Sequence, residues 1–240
     1  MKQGWYLNIF RHYGKKHGED DLTRALLVST RLIKESTLLM FFKELRARLD
    51  SREKRLLSKS VLKFDVLNDR FGFDWQDEID RDLLGDFKSK IVLIISTQKN
   101  VIDFTTAKKL TKTRGELPGS RPDGWIYSAE HRSFCMLIES KIGSNPVDAE
   151  QIFLHGHHFF KLNASKLKTR IIHTTWDTVA AAFDALITNN RTTLQPFEQK
   201  VIESFLDYML DHDYQKFAGI SRPDANFEDL LRDYKNLTYV

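Results

Sequence analysis

The stretch R-P-D-G-W-I-Y-S-A-E-H-R-S-F-C-M-L-I-E-S-K, residues 121–141, decides how this chain folds. Asp123 opens one short apolar run, and Glu139 with Lys141 closes the next. If the two runs pair as a hairpin, three charged groups meet at one end of it. The run Cys135-Met136-Leu137-Ile138 is apolar at every position and free of Pro and Gly, the composition of a strand buried on both faces. Side chains alternate along a strand, so Glu139 and Lys141 project on the same side as Leu137. Two opposite charges at the end of a core strand call for a chemical reason.

Two carboxylates converging on one point make a hard oxygen site suited to Mg²⁺ or Mn²⁺, ions that keep several waters and take up phosphate oxygens. A lysine beside them can hold the water that attacks phosphorus and stabilise the charge that grows there. Pro122-Asp123 followed by Glu139-Ser140-Lys141 resembles the signature of the PD-(D/E)xK nuclease superfamily, and the R-P-D-G-W-I and L-I-E-S-K segments resemble its prokaryotic DNase members. The resemblance implies that Asp123 and Glu139 bind Mg²⁺ (or Mn²⁺) and that Lys141 orients the water. It has a second anchor near the start of the chain. Glu19, followed by D-D-L-T-R-A-L-L, looks like the acidic residue on the opening helix of many such nucleases, which contributes to the metal site. Gln151, one segment beyond E-x-K, resembles the extra polar residue those enzymes hold near metal and phosphate; a surface amide is the alternative.

Composition bounds the rest. With 240 residues, 41% of them hydrophobic and 17 of them Phe, the chain can build one generous domain. Its one cysteine, Cys135, lies inside the apolar run and reads as a buried, inert thiol. No apolar run approaches the roughly 18 residues of a membrane span, and the N-terminus lacks a signal-peptide pattern. The expectation is a soluble, cytoplasmic protein with no membrane partner. A net charge of +4 and a pI near 9.0 favour a polyanionic partner mildly.

Along the chain, residues 20–45 read as one helix with a buried stripe of Leu22, Ala25, Leu26, Ser29, Leu32 and Ile33. Asp20 and Asp21 are taken as N-terminal capping charges. Residues 41–87 carry helical signals and few strand signals. Lys43 to Lys63 hold eight basic residues against three acidic ones, with Arg52, Arg55 and Lys59 among them, and could follow a phosphate backbone or form a solvated face. The acidic segment 74–86 is expected to face solvent, a partner or the basic stretch. Residues 90–97, K-I-V-L-I-I-S-T, are the plainest strand and should open the central sheet. Lys108, Lys109, Lys112, Arg114 and Arg121 form a second basic cluster, either a loop that grips nucleic acid or an ordinary polar connection.

Asp148 should start a helix containing Gln151, Ile152, His155 and Phe159. His155, His157 and His158 lack a fourth spaced ligand for zinc, and a histidine reaching phosphate at the rim is the preferred reading. Residues 170–175 read as a strand, and 176–187, the run from Pro196 and 227–237 as helices.

The order helix, helical insert, three strands, helix, strand, helices resembles the α-β-β-β-α-β core of the superfamily, an α/β mixed sheet flanked by helices. The expected layout is a single nuclease domain over 1–240, with a core at about 17–176, an insert at 41–88 and a C-terminal helical part at 177–240. The expected activity is metal-dependent phosphodiester hydrolysis, in DNA before RNA, as the effector of an anti-phage defence system. A catalytically silent module for nucleic-acid binding or assembly is the alternative. The chain has no P-loop, so any ATP-driven step needs a helicase or ATPase partner; a second copy of the chain is the other candidate partner. A DNA reader built on the 43–63 helices lacks a helix-turn-helix pattern.

Overall fold

A computed structural model describes residues 18–76, 79, 84–100, 102, 121–143, 146–190 and 192–211, with the side chain of Glu19 outside that set. The hairpin forms as its sequence implies. Strands β3 (Gly124–Ser128) and β4 (Phe134–Lys141) pair antiparallel, with Gly124 opposite Ile138 and Trp125 opposite Leu137. Alternation along β4 then divides the core. Phe134, Met136 and Ile138 join one apolar cluster, and Cys135 and Leu137 join the other, on the opposite face of the sheet.

Strand β2 (Ser89–Ser96) lies beside β4 and runs parallel to it; β5 (Ile171–Thr175) pairs parallel on the other side of β2. Antiparallel to β3 lies β1 (Phe71–Trp75), so the mixed sheet has the order β1-β3-β4-β2-β5. Two expectations change here. The strand at 89–96 is the second in the chain and interior, not the first, and the segment read as helical or acidic surface supplies an edge strand. Period-two placement of Phe71, Phe73 and Trp75 against the first cluster makes that strand; Phe71 stacks on Phe64 at 4.0 Å between centroids. Among the described residues, four strands therefore precede the helix after E-x-K, one more than the expected core order.

The helix expected at 20–45 is two, α1 (Gly18–Leu32) and α2 (Glu35–Ala47). Lys34 is extended between them, and its N–H donates to Glu198 Oε1 at 2.9 Å. The bend turns Leu32 out to 40% exposure while Leu22, Ala25, Leu26, Ser29 and Ile33 stay buried. Helix α3 (Ser51–Lys59) follows, then α4 (Ala149–Phe160), α5 (Ala164–Lys168), α6 (Trp176–Asn190) and α7 (Pro196–Asp211). Helices α1, α2, α6 and α7 pack on the face of Met136 and Ile138, where Phe41 stacks on Phe183 at 4.0 Å. Helices α4 and α5 cover the face of Leu137, with Trp125 set edge-on to Phe159 and Phe160. The expected helix at 227–237 lies outside the described residues. No helix among the described residues is long and apolar enough to cross a membrane.

Candidate active site

The register of the hairpin places the two carboxylates. Gly124–Ile138 is the last pair of the β3/β4 ladder, and just beyond it the Asp123 N–H donates to Ile138 O at 3.1 Å, which holds Asp123 beside the end of β4. Side chains alternate along each strand, so Asp123 takes the face of Trp125 and Glu139 that of Leu137. The face of Trp125 and Leu137 is one and the same, covered by α4. Asp123 Oδ2 accepts the Ser140 N–H at 2.6 Å, which fixes its rotamer against the strand end. Lys141, two residues beyond Glu139 and on the same side, donates from Nζ to Glu139 Oε1 at 2.9 Å. The aspartate, the glutamate and the amine thus meet as the hairpin requires.

Glu139 is fully buried and Asp123 nearly so. Burial, and next to it the like charge of Glu139, push the Asp123 carboxyl up to about 8, against the pull of the Ser140 N–H and the Lys141 ammonium. Asp20 adds a further repulsive charge. The first turn of α1 therefore brings an acid to this site, and Gly124 permits its approach: a Cβ there would lie 2.5 Å from Leu27 Cδ1 of α1. Sequence reasoning gave Asp20 a capping role and assigned the site to Glu19. The Glu19 side chain lies outside the described residues, whereas the Asp20 charge acts on Asp123. The signal was the acidic triplet itself, but which of its members faces inward depends on how α1 is rotated against the sheet.

Helix α4 supplies the opposite wall. Asp148 caps it by accepting the Glu150 N–H at 2.8 Å, as expected. Gly156 lets α5 pack tightly on it, since a Cβ there would stand 2.5 Å from Leu167 Cδ1. Of the three histidines from which a rim contact to phosphate was expected, His155 is buried, with Nδ1 3.2 Å from Glu139 Oε2. Gln151, four residues earlier and half-buried, shares the helix face of His155. His157 is exposed and stacked on Phe153, and His158 is set edge-on to Phe159, so the three histidines have three different surroundings.

Beyond Lys141 the polar groups continue across the sheet. Ser96, paired with Lys141 in the parallel register, donates from Oγ to Gln98 O at 2.7 Å and lies 2.8 Å from His173 Nε2. Burial, first, and the charge of Lys99 hold His173 below its ordinary pKa. Sequence reasoning singled out neither residue.

Of the basic residues expected to bind nucleic acid, Lys108, Lys109, Lys112 and Arg114 lie outside the described residues. Arg121, Arg52, Arg55 and Lys59 are exposed. Arg52 Nη1 donates to Lys168 O at 3.1 Å, which draws α3 and the basic end of α5 together beside the β5 edge. Of the acidic segment, Asp77, Glu78, Asp80 and Asp82 lie outside the described residues; Asp74 accepts from Tyr127 Oη at 2.9 Å, and Asp86 pairs with Arg132.

The donor set suits a divalent cation in its chemistry. Two buried carboxylates act on each other at one strand end, an ammonium sits on the glutamate, and Glu139 Oε2 accepts no hydrogen bond among the described residues. A buried acceptor in that state is costly unless a cation or donor reaches it. Among the described residues no three His, Cys, Asp or Glu side chains already converge in metal-ligand geometry. No family model, curated protein or solved structure matches the chain.

Proposed function

We propose that the protein is a metal-dependent nuclease of the PD-(D/E)xK type that hydrolyses phosphodiester bonds, in DNA before RNA. The observation that carries the reading is the convergence of Asp123 and Glu139 at one end of the β3/β4 hairpin, the Asp123 carboxylate on the Ser140 N–H and Lys141 Nζ on the glutamate. In this reading Asp123 and Glu139 hold Mg²⁺ or Mn²⁺, with an acid from the first turn of α1 alongside. The cation, when bound, supplies positive charge to a phosphate oxygen and lowers the cost of negative charge growing there.

Every other contribution comes from the chain. Asp123 would be favoured in its ionised form by a cation held beside it, its proton leaving to solvent. Lys141 Nζ, with N–H groups to spare beyond the one on Glu139, would donate to the attacking water and to the phosphate. Gln151, on the α4 face that carries His155, offers an amide to a non-bridging oxygen. Trp125, Phe159 and Phe160 beneath the site exclude water from the carboxylates. An effector role in phage defence, driven by a helicase or ATPase partner, fits a nuclease that lacks its own P-loop.

The test is incubation of the purified protein with circular DNA, linear DNA and RNA, with and without Mg²⁺. Glu139→Ala and Lys141→Ala are each expected to lose at least about a thousandfold in rate, the scale of one displaced charge-stabilising group, while melting cooperatively. Mg²⁺-dependent cleavage retained in both variants would remove the assignment. A second reading, a silent nuclease-fold module, draws on the closed Lys141–Glu139 pair. Calorimetric titration with Mn²⁺ separates the two: binding lost in Asp123→Ala supports the enzyme, and no binding supports the module.

A further inference from the structure

We infer that His155 is a positioning residue for the cation site, fixing the carboxylate of Glu139 from the helix opposite. The inference rests on the nuclease reading. A glutamate has three rotatable side-chain bonds, and a ligand held by one oxygen alone still swings about the last of them. In this site each oxygen of Glu139 has its own neighbour. Lys141 Nζ stands 2.9 Å from Oε1, and His155 Nδ1 stands 3.2 Å from Oε2. The two contacts come from different elements, the strand itself and α4, so together they define the carboxylate plane relative to Asp123.

The placement of the ring is built into the fold. His155 is 2% exposed, with the Phe159 ring 6.1 Å away and edge-on. Asp148 at the start of α4 and Gly156 against Leu167 set the height and depth of the helix, and hence of the ring. The approach of Nδ1 to Oε2 falls outside hydrogen-bond geometry. A small rotation of the carboxylate would bring Oε2 into line with a proton on Nδ1 and close this contact. Each carboxylate oxygen offers two lone-pair directions, so a contact to His155 leaves one free for a metal.

An ordinary core histidine would make a different prediction. Its loss would lower the melting temperature and leave the cation affinity of the folded protein unchanged. Positioning groups behind metal ligands typically hold 10–100-fold in affinity. His155→Phe keeps the ring volume and removes the N–H, while His155→Asn places an amide nitrogen near the position of Nδ1. Calorimetric titration of Mn²⁺ into the full chain is therefore run on wild type, Asp123→Ala, His155→Phe and His155→Asn, with a thermal melt of each. The expected result is affinity at least tenfold weaker in His155→Phe and within about threefold of wild type in His155→Asn. His155→Leu replaces the Phe variant if that one does not fold. Wild-type affinity in the variant without an N–H, or equal weakening in both, overturns the inference while the nuclease reading stands. Absence of any Mn²⁺ binding that depends on Asp123 overturns both.

Discussion

At the scale of single residues, Asp123 couples the site to stability. Its carboxyl is raised from an ordinary 3.8 to about 8, chiefly by burial and then by Glu139. Between those two values the folded chain holds a proton that the unfolded chain has released, so stability falls as pH rises from about 4 to about 8. Asp123→Asn removes this group from the balance. The metal-free variant is expected to gain melting temperature over wild type as pH rises through that window, measured by thermal melts from pH 4 to 8. A variant-to-wild-type difference that stays flat across the window would show that Asp123 ionises as freely folded as unfolded. The convergence of Asp123, Glu139 and Lys141 was legible because strand alternation and a hairpin need only the local sequence. That of His155 was not, because which face of a helix meets which strand end is fixed by packing between segments far apart in the chain.

At the scale of elements, two buried glutamates do work that no local pattern announces. Glu198 accepts the Lys34 N–H at 2.9 Å and the Gln195 N–H at 3.0 Å, joining the α1–α2 bend to the start of α7. Burial acts to raise its pKa, but the Lys34 N–H, the Thr37 hydroxyl and the Gln195 N–H outweigh it and hold the carboxyl below its usual range. A depressed carboxyl contributes stability that is full above its unfolded pKa and lost as pH falls through the folded one. Glu198→Gln should cost about 2 kcal/mol near neutral pH, the loss of a charged hydrogen-bonding group at a buried site, and the deficit should shrink below pH 4 in denaturant titrations. Glu53 of α3 accepts the His173 N–H at 3.1 Å on the open edge of β5, and Lys99 Nζ lies 3.0 Å from its other oxygen. Edge strands need such cover. Glu53→Ala should speed hydrogen exchange at the His173 amide far more than at the interior β2 amides, and equal change in both would mean a global effect instead. Neither partnership could be read in advance: Lys34 and Glu198 are 164 residues apart, and Glu53 and His173 are 120 apart. The bend at Lys34 carries no Pro or Gly, so periodicity ran straight through it. Strand β1 escaped notice because its five residues precede an acidic run and pair only with β3, some fifty residues on.

At the scale of the whole molecule, charge is distributed so that the site and a basic surface belong to one sheet. The strand composition of 89–96 and 134–141 announced an α/β fold, but the insertion of β2 between β4 and β5 is a property of the assembled sheet. Along the β5 edge, α3 presents Arg52, Arg55 and Lys59, and α5 adds exposed Lys166 and Lys168. The acidic residues there are already engaged, Asp50 with Lys99 at 2.7 Å and Glu53 with Lys99 and the β5 backbone. A surface whose cations outnumber its free anions attracts a phosphate backbone by releasing counterions, and each phosphate contact lowers the logarithm of affinity by about 0.9 per tenfold rise in salt. Arg52 is a poor probe, because its guanidinium also ties α3 to Lys168 O. Arg55→Ala combined with Lys59→Ala removes two exposed charges and, among the described residues, no such structural bond. This double variant should bind DNA of any sequence more weakly at 50 mM salt, with a salt slope shallower by about 1 to 2. Fluorescence anisotropy between 50 and 200 mM salt measures both quantities. Cleavage at saturating DNA should keep its rate, since neither side chain touches Asp123, Glu139 or Lys141. An unchanged slope would assign Arg55 and Lys59 to ordinary hydration of α3, and the path of the nucleic acid would then have to leave the site away from the β5 edge.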